Sequence, residues 1–242
     1  MTYLYHTFFY NPLYNGLVFL IDVLPTWVDV GIVIVIFTVL VKLILFPLSK
    51  AALKSQIAMK ELQPKIDQIK KEHKDPTQQS MATMKLYKEA GANPFSGILV
   101  LLIQIPIIIA LYRIFLTGGL PHISADLLYS FVHVPEAVNM HFLGIDLAKK
   151  SLVLALLAAV SQFFQIRFSI PEIKKDANAD GKASFGNDLT RMMSVQMKYV
   201  LPVVVFFASY GVNAAIAIYW TTSNLFAIGQ ELVVRRKLVK KL

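Results

Sequence analysis

Apolar residues in this chain fall into long runs, and almost all of the charge lies between them. Four runs stand out: Val28–Leu48, Phe95–Phe115, Ser151–Ile170 and roughly Met192–Val234. A helix of about 20 residues crosses about 30 Å of hydrocarbon, so each of the first three matches one membrane span. The fourth is too long for one. Tyr210-Gly211-Val212-Asn213 interrupts it with turn formers, which predicts two helices joined by a tight hairpin. The expected fold is all-α: a polytopic membrane protein with five transmembrane helices, at 28–48, 93–117, 151–170 and as a pair within 192–234.

Two further segments have different patterns. In residues 1–27 the apolar stretch Leu13–Leu24 is too short to span and is interrupted around Pro12, Asn15, Gly16 and Asp22. Tyr3, Tyr5, Phe8, Phe9, Tyr10 and Tyr14 predict an amphipathic helix lying in the outer interface. With no Lys or Arg before Thr26, it is not a standard signal peptide. Segment 49–92 is charged, with Leu53, Ile57, Leu62, Ile66 and Ile69 at helical spacing. Asp75-Pro76 breaks it, and Thr77 is a candidate cap for a second helix carrying Met81, Met84 and Tyr87. This predicts a two-helix cytoplasmic hairpin. It is either a solvated antiparallel pair or a landing surface for nascent chains or lipid headgroups.

Charge placement sets the orientation. Every Lys and Arg except Lys42, Arg113, Lys149 and Lys150 lies in one of three places: 49–92, the stretch from Arg167 to Lys198, or the tail from Arg235. The positive-inside rule then makes 118–150 an outer loop, 171–191 a cytoplasmic loop and 235–242 a basic cytoplasmic tail, with the N-terminus outside. A single last span would strand Arg235–Lys241 outside, which favours five spans. The predicted location is the cell membrane of a bacterium. The chain has 242 residues, 56% apolar, with a net charge of +9, and a mean hydropathy of +0.57. Charge segregated in this way reads as topology first, with anionic lipids or ribosomal RNA as secondary partners and no DNA.

Several chemistries are excluded. There is no cysteine, hence no disulfide or thiolate catalysis. The histidines (His6, His73, His122, His133, His141) do not pair at metal-ligand spacing, and no Gly-rich phosphate loop is present. No metal, no cofactor and no enzymatic activity are expected.

What remains is polar chemistry at membrane depth. Lys42 lies inside the first run, where a central Lys costs about 2.5–3.5 kcal/mol. One reading is that it snorkels to the cytoplasmic interface. The other begins with Thr38, one turn earlier on the same face. Gln104 in the second span, Ser161, Gln162 and Gln165 in the third, and Thr221-Thr222-Ser223-Asn224 in the fifth add to it. Singly, such residues make interhelical hydrogen bonds. Together with a cation they suggest a hydrated cavity that attracts negative charge. The span interiors hold no Asp or Glu, since Asp29 and Glu231 lie at ends, whereas pumps and cation-coupled transporters usually carry acidic relays.

Several strings resemble the YidC/Oxa insertase family: FTVLVKLILFPLSK at Phe37–Lys50, ELQPKIDQIKKEHKDP at Glu61–Pro76, and MKLYKEAGANPFSGILVLLIQIPIIIALYRIF at Met84–Phe115. FLGIDL at Phe142–Leu147 and IYWTTSNLFAIGQ at Ile218–Gln230 follow in order. The resemblance implies five helices around a groove open to the cytoplasm and to lipid, and closed outside. It puts Lys42 where the family has an intramembrane Arg, a departure because Lys gives up its proton more readily. Thr38, Tyr219 and Trp220 fall on the family's substrate-contacting positions.

The expected function is therefore a membrane protein insertase and chaperone. Its groove would be lined by Lys42, Thr38, Gln104, Gln162, Gln165, Tyr219, Trp220 and Asn224. Expected partners are nascent or newly made membrane proteins and anionic lipids, with the ribosome and the Sec translocon as further candidates. Arg235, Arg236, Lys237, Lys240 and Lys241 would meet ribosome or lipid. The alternatives are a small solute or ion transporter, which would need repeats or paired acids not seen here, and a scaffold that only assembles partners.

Overall fold

The computed structural model describes residues 2–73, 75–118, 120, 122–169 and 185–239. Helices α1 (Thr2–Tyr5) and α2 (Asn11–Val23) are joined through a π-turn at His6–Tyr10. Then come α3 (Val30–Ile44), α4 (Phe46–Glu61), α5 (Gln63–Glu72), α6 (Pro76–Glu89) and α7 (Ser96–Arg113), the last running into a second π-turn at Ile114–Gly118. A 3-10 turn (Ala125–Leu127) and a small hairpin of β1 (His141–Phe142) and β2 (Ile145–Asp146) precede α8 (Leu152–Ser169), α9 (Phe185–Gly211) and α10 (Ala214–Val239).

Several boundaries differ from the sequence expectation, each for a local reason. Segment 28–48 is not one helix: it breaks at Leu45, because Pro47 lacks an N–H and its ring crowds the carbonyl four residues back. The charged segment 49–92 holds parts of three helices, with Pro64 opening α5 after a break at Leu62. Its second breaker is capped by Asp75 rather than Thr77. The Asp75 carboxylate accepts from the Thr77 N–H at 3.1 Å. The 118–150 loop contains the short hairpin. Helix α9 begins at Phe185, inside the expected 171–191 loop, because polarity marks where lipid ends and not where a helix ends; residues 170–184 lie outside the described residues. The 235–242 tail is helical as far as Val239, since nothing after Gln230 breaks α10.

Among the described residues, Leu152–Ser169 alone is long and apolar enough to cross a membrane by itself, and the broken pair Val30–Ile44 with Phe46–Glu61 passes together. Leu102–Leu116 and Met197–Gly211 are shorter apolar helices.

The chain divides into two compact units. The first comprises Met1–Lys42 and Pro106–Gly229. Its loops are stitched to its helices at one end. Asn15 on α2 donates to Leu127 O (2.9 Å) and accepts from Tyr129 N (2.6 Å), while Tyr14 Oη accepts from Ser124 N (2.8 Å). Val30 N donates to Asn139 O (2.9 Å) and Ala214 N to Lys149 O (2.8 Å). Asn213, in the turn between α9 and α10, donates to Phe115 O (2.8 Å). The β1–β2 connection is a two-residue turn with positive φ at both Leu143 (49°) and Gly144 (79°), the backbone that matches strand twist. Beside it, Lys149 Nζ lies 3.0 Å from the Asp146 carboxylate. That hydrogen bond, with one from Ala148 N–H, holds the carboxyl below the usual carboxylate range.

The second unit comprises Leu43–Ile105 and Gln230–Leu242. Helix α6 ends in a Schellman motif. Gly91 (φ 64°) donates to Lys88 O and Ala92 to Tyr87 O, and Gly is the residue that takes this backbone without strain. Asn93 then makes a turn leading into α7, its Oδ1 accepting from Phe95 N at 2.9 Å.

Candidate functional site

Helix α8 buries the polar Ser161 and Gln162 while exposing a broad apolar face. Leu154, Ala155, Ala158, Ser161, Gln162 and Ile166 are buried at helical spacing, whereas Leu152, Val153, Leu156, Leu157, Val160, Phe164 and Phe168 are exposed. A helix at the surface of a soluble protein would show the reverse. The same holds on α3 and α10, where Thr38, Ser223 and Asn224 are buried while Leu40 and Leu225 are exposed. Polar groups turned inward beneath an apolar exterior are the arrangement that lipid selects.

Within the first unit these groups form short networks. Asn224 Nδ2 donates to Ser161 Oγ at 3.0 Å, and Ser161 donates onward to Ala158 O at 2.9 Å. Gln162 Nε2 donates to Gln165 Oε1 (3.1 Å) and Gln165 Nε2 to Ser169 Oγ (3.0 Å), a relay along the last two turns of α8. Thr38 is 0% exposed, with its hydroxyl turned back to Ile34 O at 2.6 Å, so it offers no free donor. Lys42, one turn on, is half-buried at the end of this unit. Tyr219 is buried and Trp220 half-buried. Both line a cavity of about 130 Å³ with Ile108, Leu111, Tyr112, Ala208 and Ile216.

The remaining predicted residues belong to the second unit. Gln104 is half-buried on α7. Arg235 pairs with the buried Glu231 one turn before it, so its guanidinium is engaged within α10 rather than held free in a tail. Arg236 is exposed, Lys237 follows on the helix, and Lys240 and Lys241 lie outside the described residues. Sequence reasoning missed two contacts. Gln230 Nε2 donates to Ser49 Oγ at 2.7 Å, tying α10 to α4, and Ser169 ends the glutamine relay. Ser49, Ser169 and Gln230 are polar residues near the ends of apolar runs, where polarity carries no signal of its own. Among the described residues no cluster of three or more His, Asp or Glu could hold a metal ion.

The family model described as 60Kd inner membrane protein matches residues 22–241. The chain belongs to this family. Among curated relatives, the membrane protein insertase YidC of Clostridium tetani is 35% identical over 208 residues, covering 85% of this chain and 81% of its own. That of Fusobacterium nucleatum is 31% identical over 233 residues, covering 96% and 98%. A solved structure described as an active YidC insertase with its first transmembrane domain resolved superposes with a TM-score of 0.56 at 29% identity. The match covers 91% of this chain but 45% of that one, so the chain spans under half of the solved protein.

In this member of the 60Kd inner membrane protein family, the strings that carried the resemblance have physical jobs. LYKEAGANP supplies the helix stop at Gly91 and the turn at Asn93 that leads into α7. FLGIDL is the β1–β2 hairpin. SNLFAIGQ contributes Asn224, bonded to α8, and Gln230, bonded to α4.

Proposed function

We propose that this chain is a non-enzymatic insertase and chaperone for newly made membrane proteins, crossing the bacterial inner membrane five times with its N-terminus outside and its C-terminus in the cytoplasm. The observation that carries the reading is the inverted α8, with Ser161 and Gln162 inward and Leu156, Val160 and Phe164 outward. Polar groups gathered inside an apolar shell support a hydrated groove that opens to the cytoplasm. The polar outer segment of a client enters that groove and so has less hydrocarbon to cross. Lys42 supplies positive charge to an acidic segment, and in a site shielded from bulk water that attraction is stronger than in solution. The client helix then leaves sideways along α3 and α10, past Trp220, into lipid, where its apolar surface is buried. The exposed Arg236 and the basic residues after it meet anionic headgroups or the ribosome, with the Sec translocon a further partner.

Photo-crosslinkers at positions 42 and 220 test the route with a stalled single-span client whose outer segment is uncharged. Adducts at both, with none at the outward-facing Val160, are expected. Adducts at position 160 alone would rule the route out. Reconstitution into liposomes of lipid and this protein only then separates the classes: an insertase integrates the client, a transporter moves solute and a scaffold does neither.

A further inference from the structure

Helices α8 and α9 pack in an antiparallel register fixed by Phe163 and Tyr199, whose ring centroids are 6.1 Å apart. Seven residues back along α8, Leu156 faces the same cleft as Phe206, seven residues on along α9. Between them lies an open cleft of about 500 Å³, lined by Leu156, Ala159, Phe163, Pro202, Val203 and Phe206. Ala159 contributes only a methyl group to this lining, between Leu156 and Phe163 along α8. The lining is apolar along its whole length.

Charge lies at one end. Lys198 adjoins Tyr199, with its Nζ 5.9 Å from that ring's centroid, and the exposed Arg167 is one turn beyond Phe163 on α8. At the other end the nearest cation is Lys150, 5.9 Å from the ring of Tyr210, a full turn past Phe206. Glutamates and aspartates are absent from 151–169 and from 197–211.

We infer that the α8–α9 cleft is a binding site for one anionic phospholipid, with an acyl chain along Ala159 and Val203 and its phosphate against Lys198 and Arg167. In a bilayer the tail is surrounded by apolar atoms wherever it lies, so transfer from water adds little and the fit of chain to cleft sets its position. Selectivity comes from the headgroup, because basic groups between helices hold anionic phosphates. The leaflet, cytoplasmic, rests on the orientation proposed above. The binding itself does not. The site is separate from Lys42, Tyr219 and Trp220, so its failure and the failure of the insertase reading show up in different assays.

The test is native mass spectrometry of the full chain in detergent, titrated with phosphatidylglycerol and with phosphatidylcholine of identical tails. One phosphatidylglycerol is expected to be retained with a preference of about fivefold or more over phosphatidylcholine. Lys198→Gln with Arg167→Gln should abolish the preference while the fold, read by helical circular dichroism, stays intact. Ala159→Phe should remove bound lipid of both kinds, and Lys150→Gln should change neither. Equal retention of the two lipids by the unmodified chain, or undiminished phosphatidylglycerol binding by Ala159→Phe, overturns the assignment. A photo-crosslinker at position 159 that captures a client polypeptide rather than lipid overturns it in favour of a second client surface. Client integration into liposomes, measured on the same variants, reports on the insertase reading alone.

Discussion

Asn224 on α10 donates its side-chain amide to Ser161 Oγ on α8 across 3.0 Å, and both residues are buried. Such bonds between membrane helices contribute about 0.6 kcal/mol on average and up to about 1.7 kcal/mol. Asn224→Ala and Ser161→Ala are each expected to lower the thermal midpoint in detergent. The double variant should lose less than the sum of the two, with a coupling in that range. Strict additivity would mean that the bond contributes nothing.

Lys42 gives a prediction that depends on the client. Lys42→Arg keeps the charge and should support insertion of all clients. Lys42→Ala should impair clients with acidic outer segments most, by about tenfold for each 1.4 kcal/mol of lost attraction. The measurement is integration efficiency across clients that differ only in outer-segment charge. Uniform activity of Lys42→Ala would leave snorkelling as the better account of this residue.

The cysteine-free chain makes water access directly measurable. Single cysteines at Gln104 and Gln165, both half-buried, should react with a membrane-impermeant thiol reagent from the cytoplasmic face and not from outside. Thr38→Cys should react more slowly than either, because position 38 is fully enclosed. If Gln104 and Gln165 both stay unlabelled, the hydrated groove is ruled out.

Leu143 occupies a left-handed backbone (φ 49°) while 86% exposed, so it bears the strain without packing in return. For a non-glycine residue this costs about 1–2 kcal/mol. Leu143→Gly should relieve most of it and Leu143→Asn a part, raising the thermal midpoint. A fall on both substitutions would show that the leucine side chain stabilises the hairpin.

Gly31 lies under Phe142, where an added Cβ would come within 2.4 Å of the ring. Gly31→Ala should destabilise by about 1–3 kcal/mol through overpacking. Adding Phe142→Ala should recover part of the loss, as read by thermal unfolding of the pair against each single change.

The family was legible because LYKEAGANP and SNLFAIGQ are distinctive strings, and they encode turns and interhelical bonds. The helix starting near residue 151 and the turn at Gly211–Asn213 were legible too, since apolar periodicity and a glycine mark them without tertiary help. The ends of helices were not. Hydropathy reports where lipid stops, whereas α9 starts before its apolar run, at Phe185, and α10 continues past its own through Arg235, Arg236 and Lys237, which are good helix formers. Pro47 was visible, yet its effect depends on whether α3 is held straight by its neighbours. For the candidate site, the sequence indicated which residues are polar at depth but not what each is bonded to. Thr38 satisfies its own helix, whereas Asn224 reaches another.

The mesh made by Asn15, Val30, Asn139, Asn213 and Ala214 pairs the backbone groups of Val30, Phe115, Leu127, Tyr129, Asn139, Lys149 and Ala214 within the protein. Each of these bonds lowers the desolvation penalty on irregular chain that rests at the lipid boundary. On the proposed orientation it stoppers the bundle at its extracytoplasmic end. Under the proposed function, a bundle stoppered at one end would hold solvent for its clients without becoming a conduit, and the ion gradient across the membrane would survive each insertion.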